Sequence, residues 1–282
     1  MQSWYCGDRS FVWGTRTYLM GVLNITPDSF SDGGCFESVA AAIAQAHQMR
    51  DQGVDILDIG GESTRPTATP VPLEIELQRV IPVIQAIRQD PAFQTLPISI
   101  DTTKAAVARA AIQAGANWVN DISGATFDPT MLTTVAQLQV PLILMHLRGT
   151  PQTMQQFTDY HDLVGEIITF FKERIASAIA VGIPSDRIAI DPGIGFAKTA
   201  EQNVELLQQL SEFKSLNCPI LIGASRKSFI GKILNQPEPQ KRVWGTAATC
   251  CAAIAQGTDM LRVHDVAEMY DVVRVADAIW RS

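Results

Sequence analysis

Residues able to bind or react fall at regular places in this sequence, each where a short apolar run stops. Asn24 follows the run 18–23, and Glu62, Ser63, Thr64 and Arg65 come soon after the run 56–59. Asp101 follows 97–100, Asn120 and Asp121 follow 118–119, and His146 and Arg148 follow 142–145. Asp191 follows 188–190, and Ser225, Arg226 and Lys227 come after 220–222. Arg262, His264 and Asp265 gather around the end of 260–263. Together they supply two carboxylates (Asp101, Asp191), an amide pair (Asn24, Asn120), three cations (Arg65, Lys227, Arg262) and an imidazole (His264). Carboxylates and amides without a nucleophile suit recognition of a flat polar heterocycle. A carboxylate accepts paired N–H donors from a 2-aminopyrimidine-like edge, and an amide both donates and accepts. Lys227 either balances charge or donates to a ring nitrogen. No GxSxG elbow occurs, so a Ser-His-Asp arrangement is not evident. Catalytic zinc would want paired His at the end of the first strand, where Asn24 stands. A hard cation needs less: Mg2+ keeps waters and pairs with substrate phosphates, so one Asn ligand could suffice.

Each of these residues also has an ordinary structural use. Asp and Asn just after a strand often cap the next helix, and that reading competes evenly for Asp101 and Asn120 and more strongly for Asp121. Asp265, with Glu268 three residues on, has the spacing of a capping box. A lone His146 is more often a hydrogen-bonded structural residue than a ligand. Only the convergence of many strand ends on one place weakens these alternatives.

The elements that would cause that convergence are legible. Strand-like runs alternate with helical patterns over 37–52, 73–89, 104–114, 130–139, 163–180, 203–213, 243–256 and 266–280. The first carries Val39, Ile43, Ala46 and Met49 on one face and stops at Gly53, a common helix terminator. Strands apolar on both faces, each followed by a helix, imply a parallel sheet covered by helices. Eight such units in 282 residues fit a (β/α)8 TIM barrel, an α/β fold. A Rossmann fold would want GxGxxG after the first strand, and none is there. Residues 1–17 fall outside the units as an N-terminal extension, expected to form a small hairpin under the barrel with Gly7-Asp8 or Gly14-Thr15 as its turn. Residues 18–282 make one barrel domain. Its loops 26–34 and 62–72 are longer than usual βα connections, and such loops are where barrel active sites are built.

Composition narrows the class. With 46% hydrophobic residues the chain is too apolar to be disordered. Its 22 Lys and Arg against 29 Asp and Glu leave a net charge of -7, which argues against a nucleic-acid footprint but not against anionic small molecules. Cys6, Cys35, Cys218, Cys250 and Cys251 form no CxxC pair, so a reducing, cytoplasmic setting without disulfides is expected. No signal peptide and no membrane span are expected.

The motifs resemble those of the dihydropteroate synthase family. GVLNITPDSFSDGG at 21–34 is the most specific. GGESTRP from Gly60, SIDT from Ser99, NDISG from Asn120, MHLRGTPQTMQ from Met145, DPGIGF from Asp191, GASRKSFIG from Gly223 and RVHDV from Arg262 follow in the family's order. The resemblance implies a transferase that joins 6-hydroxymethyl-7,8-dihydropterin diphosphate to 4-aminobenzoate, giving 7,8-dihydropteroate and pyrophosphate in folate synthesis. It implies a pterin pocket of Asp101, Asn120, Asp191 and Lys227. It implies Mg2+ on Asn24 as the cofactor, a pyrophosphate site of Asn24, Arg262 and His264, and aminobenzoate near Thr64, Arg65, Pro66, Phe196, Lys227 and Ser228. Asp101, Lys227, Arg262 and Arg65 would be the catalytic groups, and Asp28, Ser29 and Phe30 would sit on the first mobile loop. It also suggests a homodimer and sensitivity to sulfonamides. One departure is visible: the family usually has Gly soon after STRP, where Thr67, Ala68 and Thr69 stand here. Two other readings remain. A pterin-binding methyltransferase barrel would share the pocket without needing RVHDV or SFSDGG. A paralogue that has lost catalysis would show damage at Asn24, Arg65, Lys227 or His264, and all are present.

Overall fold

The structure, a computed structural model, describes residues 3–6, 9–26, 35–65 and 68–281, without the side chains of 35–38. Two short strands, β1 (Ser3–Cys6) and β2 (Arg9–Val12), pair antiparallel with Cys6 opposite Arg9. The residues between them lie outside the described ones, as do Asp28, Ser29, Phe30 and Pro66. Then come β3 (Tyr18–Asn24), α1 (Cys35–Asp51), β4 (Ile56–Gly60), α2 (Leu73–Gln89), β5 (Ile98–Asp101) and α3 (Ala105–Ala114). They are followed by β6 (Trp118–Asp121), α4 (Met131–Leu138), β7 (Leu142–Met145), α5 (Leu163–Ala180), β8 (Ile188–Asp191) and α6 (Ala200–Gln208). The chain ends with β9 (Leu221–Ile222), α7 (Ser228–Ile233), α8 (Val243–Ala255), β10 (Met260–Val263) and α9 (Val266–Trp280). Strands β3 to β10 form one parallel sheet in the order β8-β7-β6-β5-β4-β3-β10-β9. A parallel bridge from Ile190 to Ile220 joins its two edges, giving the (β/α)8 barrel.

Helical signals hold where the periodicity is long and bend where local chemistry intervenes. Gly53 takes φ +91° at the end of α1, and Val54 N–H donates to Met49 O at 3.0 Å, the bond that ends a helix in a left-handed residue. α6 starts at Ala200 rather than near 203, because Thr199 and Gln202 cap it reciprocally. It also stops earlier, and a 3-10 segment, Leu210–Leu216, carries the chain onward. The short α7 has too few turns to show an apolar period, and the sequence reading lacks it.

Strand parity divides the barrel. One set of side chains, such as Leu57, Ile59, Ile98 and Ile100, packs outward under the helices. The alternate set, Tyr18, Met20, Ile56, Trp118, Ile143 and Met260, points inward and fills the lower lumen. The β1–β2 pair closes that end. Trp4 meets Trp118 edge-on at 4.9 Å and Trp13 at 5.1 Å, and Phe11 meets Trp118 at 5.0 Å. Burying a side chain of this size stabilises by about 1.5–3 kcal/mol. With the N-terminal end of the lumen sealed by aromatics, inward polar groups have only the other end to occupy.

Candidate active site

The same parity, continued upward, builds the site. Two residues beyond inward Ile56, Trp118, Ala189 and Met260 stand Asp58, Asn120, Asp191 and Arg262. The register puts Asp58 beside Ser99, and Asp101 beside both Gly60 and Asn120. Arg262 ties this layer together. Its Nε donates to Asp58 Oδ2 at 2.6 Å and its Nη2 to Asp101 Oδ2 at 2.7 Å. Asn120 Nδ2 also donates to Asp58 Oδ2, at 3.3 Å. Burial pushes the Asp101 carboxyl up to about 7, with Asp58, Glu76 and Asp121 adding to the effect against the pull of Arg262. The carboxylates in turn hold Arg262 above its ordinary value despite its burial. Asp58 Oδ1 and Ser99 Oγ are buried without a hydrogen-bond partner among the described residues. Unpaired buried acceptors at a barrel mouth are what a ligand's N–H groups would fill.

Neither Asp101 nor Asn120 caps a helix. The α3 cap position is Lys104, and the Ala105 N–H goes to Asp128 Oδ2 at 2.8 Å. Asp121 serves a turn, accepting from Ser123 N at 2.8 Å and Ser123 Oγ at 2.6 Å. The capping box expected at Asp265 does not form. Its carboxylate is drawn instead into a two-pronged pair with Arg226, and α9 starts without a side-chain cap.

The far wall comes from the turn after β8. Asp191 Oδ1 accepts from Gly193 N at 2.8 Å. Burial raises Asp191 to about 6, opposed by that N–H and by Lys227 and Arg262. Gly193 cannot carry a side chain: its φ is +75°, and a Cβ would lie 2.2 Å from His146 O. Lys227 Nζ sits 3.9 Å from the centroid of the Phe196 ring, a cation–π contact. Burial and the Arg262 charge lower Lys227 to about 8.

His264 follows β10. Ser225 Oγ accepts from His264 N at 3.2 Å and lies 3.0 Å from His264 Nδ1. With that hydroxyl donating to Nδ1, the neutral ring keeps Nε2–H as its outward donor. Burial, Arg262 and Arg226 lower His264 to about 3, so it acts as a neutral donor rather than a cation.

The nearer rim is looser. Asn24 ends β3 opposite Gly60, where a Cβ would stand 3.7 Å from Asn24 Oδ1 and 3.5 Å from Asp101 Oδ2. The Asn24 amide oxygen is a hard donor of the kind Mg2+ takes, while Asp101 Oδ2 nearby already accepts from Arg262. Among the described residues no group of three or more His, Cys, Asp or Glu could hold a metal by itself, so a cation here would lean on substrate oxygens. Half-buried Thr64 and exposed Arg65 lie on the loop after β4, and exposed Ser228 begins α7. That loop is clamped at both ends by Glu62, which accepts from Val71 N at 3.2 Å and pairs with Lys104. Lys104 also pairs with fully buried Glu76. Across the mouth, Gln152 Nε2 donates to Ala68 O at 2.8 Å.

The structure thus joins Asp101 to Arg262 directly and Asn120 to Arg262 through Asp58, sets Asp191, Phe196, Lys227 and His264 around them, and keeps Thr64, Arg65 and Ser228 at the periphery. Asp58 and its neighbour Ser99 belong to the same layer, and Ser225 backs His264; the sequence reading lacks Asp58 and names Ser99 and Ser225 without giving either a role. A signal for Asp58 exists: it is a carboxylate inside an apolar run, at inward parity.

Fold and mouth together define a class, the pterin-binding barrel enzymes, and the family described as pterin binding enzyme matches residues 20–264. A dihydropteroate synthase of Synechocystis sp. is 60% identical over 275 residues, covering 98% of this chain and 94% of that one. The structure of a Yersinia pestis dihydropteroate synthase with a sulfonamide drug superposes with a TM-score of 0.92 at 39% identity, covering 99% of this chain and 100% of that one. That of a Xanthomonas albilineans dihydropteroate synthase with 7,8-dihydropteroate gives 0.86 at 42% identity, covering 97% of each. The chain belongs to the dihydropteroate synthases, transferases of folate synthesis.

Proposed function

We propose that this chain condenses 6-hydroxymethyl-7,8-dihydropterin diphosphate with 4-aminobenzoate to give 7,8-dihydropteroate and pyrophosphate. The observation that carries this reading is the Asp58–Arg262–Asp101 cluster, flanked by Asn120 and Asp191 at the mouth of the barrel. Asp191 is suited to accept from the 2-amino edge of the pterin, and Asn120 to donate and accept beside it. Lys227, over Phe196, balances the pocket's negative charge or donates to a ring nitrogen. The carbon–oxygen bond to the diphosphate breaks with its electron pair going to the leaving oxygen. The positive charge left on the pterin methylene lies where the Asp101 carboxylate stabilises it. His264 Nε2–H and the outer N–H groups of Arg262 donate to the departing anion, and Arg65 adds charge from its loop. Asn24 Oδ1 would hold Mg2+ with diphosphate oxygens, where the ion supplies neutralising charge to the leaving group. The aniline nitrogen attacks the methylene and then gives its proton to water or pyrophosphate. It needs no strong base, because the electrophile is already activated, and no covalent enzyme intermediate is required.

The expected outcome is pyrophosphate release only when the pterin diphosphate, aminobenzoate and Mg2+ are all present, with sulfonamides competing against aminobenzoate. A complete assay without product would overturn the activity, and non-competitive inhibition would overturn the placement of aminobenzoate at Phe196, Lys227 and Ser228. We further propose a cytoplasmic homodimer. Free thiols at Cys6, Cys218, Cys250 and Cys251 support the compartment. Exposed Trp244 on α8, with Val275 and Ile279 on α9, supports the dimer. No described helix is long and apolar enough to cross a membrane.

A further inference from the structure

Lys198 has no part in the steps above, yet it is the best-buried lysine near them, 3% exposed. Its Nζ lies 3.1 Å from Gly193 O, 2.9 Å from Phe196 O and 3.1 Å from His146 Nδ1. Carbonyl oxygens only accept, and an ammonium has three N–H bonds to give, so these three neighbours use all of them. Such a group is costly to bury among neutral partners. An apolar chain of the same length would fill the space without that cost, so the purpose lies at the three partners.

Two of those partners, Gly193 and Phe196, belong to the turn that makes the far wall, and the third, His146, follows β7 beside it. Gly193, Gly195 and Ala197 have φ of +75°, +82° and +50°, and Ala197 bears a Cβ that disfavours that conformation. The Gly193 peptide is held from both sides: its N–H donates to Asp191 Oδ1, and its oxygen accepts from Lys198. The Phe196 peptide also ends on Lys198, while its ring carries the Lys227 ammonium. Two other tethers exist: Phe196 N donates to Gly193 O at 3.0 Å within the turn, and Gly195 N donates to Asn203 Oδ1 at 2.6 Å, but neither reaches the Phe196 carbonyl or ties the turn to His146.

We propose that Lys198 is a positioning residue for the pterin pocket: by binding the Gly193 and Phe196 carbonyls and His146 Nδ1 it holds the turn that aims the Asp191 carboxylate and seats Lys227. Burial lowers His146 well below its ordinary value, which keeps the imidazole neutral beside Lys198, itself lowered to about 7 by the same burial. The inference rests on the pterin-transfer reading and deepens it.

The test is Lys198→Met in the full chain, a side chain of similar length that cannot donate. The expected result is a rise of about tenfold or more in KM for the pterin diphosphate, with a smaller change in kcat. Unchanged KM in a folded variant would overturn the proposal, as would a lowered thermal midpoint with unchanged kinetics, the result for a lysine that only holds the fold. Should the variant not fold, nitrogen NMR of His146 in the wild-type chain at about pH 6 decides instead. An unprotonated, hydrogen-bonded Nδ1 supports the arrangement, and a protonated Nδ1 overturns it. A wild-type chain without turnover would overturn the proposed activity and leave the NMR readout to judge Lys198.

Discussion

At the scale of single residues, one guanidinium facing two buried carboxylates sets the character of the pocket. Arg262 sets one positive charge against the two carboxylates of Asp58 and Asp101, so what it offers a departing diphosphate is its outer N–H groups rather than a surplus of charge. Asp191 has no such partner, and its raised pKa records the cost of ionising it in a dry wall. Two consequences follow from Asp191→Asn. Pterin binding at neutral pH, measured by calorimetry, weakens about tenfold or more, because a donor faces a donor. Thermal stability changes the other way. The folded pKa, about 6, lies above the unfolded value of about 4, so native Asp191 holds its proton longer. Its contribution to stability is therefore greatest below the unfolded value, falls as pH rises through about 6, and is a net cost at neutral pH. The amide removes that cost and keeps an acceptor for Gly193 N. The variant is expected to melt higher than the wild type at pH 7 and to lose that advantage in acid. Equal affinity would reject Asp191 as a pterin contact.

At the scale of elements, the loop after β4 is the piece whose placement most needs explaining. Thr64 and Arg65 ride on it, and Thr67, Ala68 and Thr69 stand where the family usually has a glycine. Glu62 gathers its two ends by accepting from Val71 N and pairing with Lys104, which is anchored on buried Glu76. Thr102 Oγ1 donates to the same Glu76 at 2.6 Å, so the clamp is rooted just beyond Asp101. Glu62→Gln keeps the shape and loses the charge. It is expected to raise KM for aminobenzoate, and the inhibition constant of a sulfonamide, by about threefold to tenfold while leaving pterin affinity alone. Steady-state kinetics with each substrate varied in turn checks this, and an effect on pterin alone would place the loop elsewhere in the mechanism.

At the scale of the whole molecule, the barrel has two unlike ends, an aromatic floor closed by β1 and β2 and a charged mouth. The apolar side chains left exposed on α8 and α9 predict a dimer in solution. Sedimentation of the purified chain at micromolar concentration should give twice the 30.7 kDa chain mass, and Trp244→Asp with Ile279→Asp should return a monomer. A wild-type monomer would remove the proposal. The sequence by itself determined the eight units, most helix bounds and the strand ends that carry Asn24, Asp101, Asn120, Asp191 and Arg262, because apolar periodicity and polar strand ends are local signals. Motif order pointed to the family for the same reason. Only the tertiary structure decided what those residues do to one another. Asp58, lost inside an apolar run, becomes the partner of Arg262 some 204 positions away. Asp265 gives up a cap for Arg226, and Lys198 reaches back to His146. Charge pairing, burial and the pKa shifts that follow depend on distances through space, which closure of the barrel sets and spacing along the chain does not.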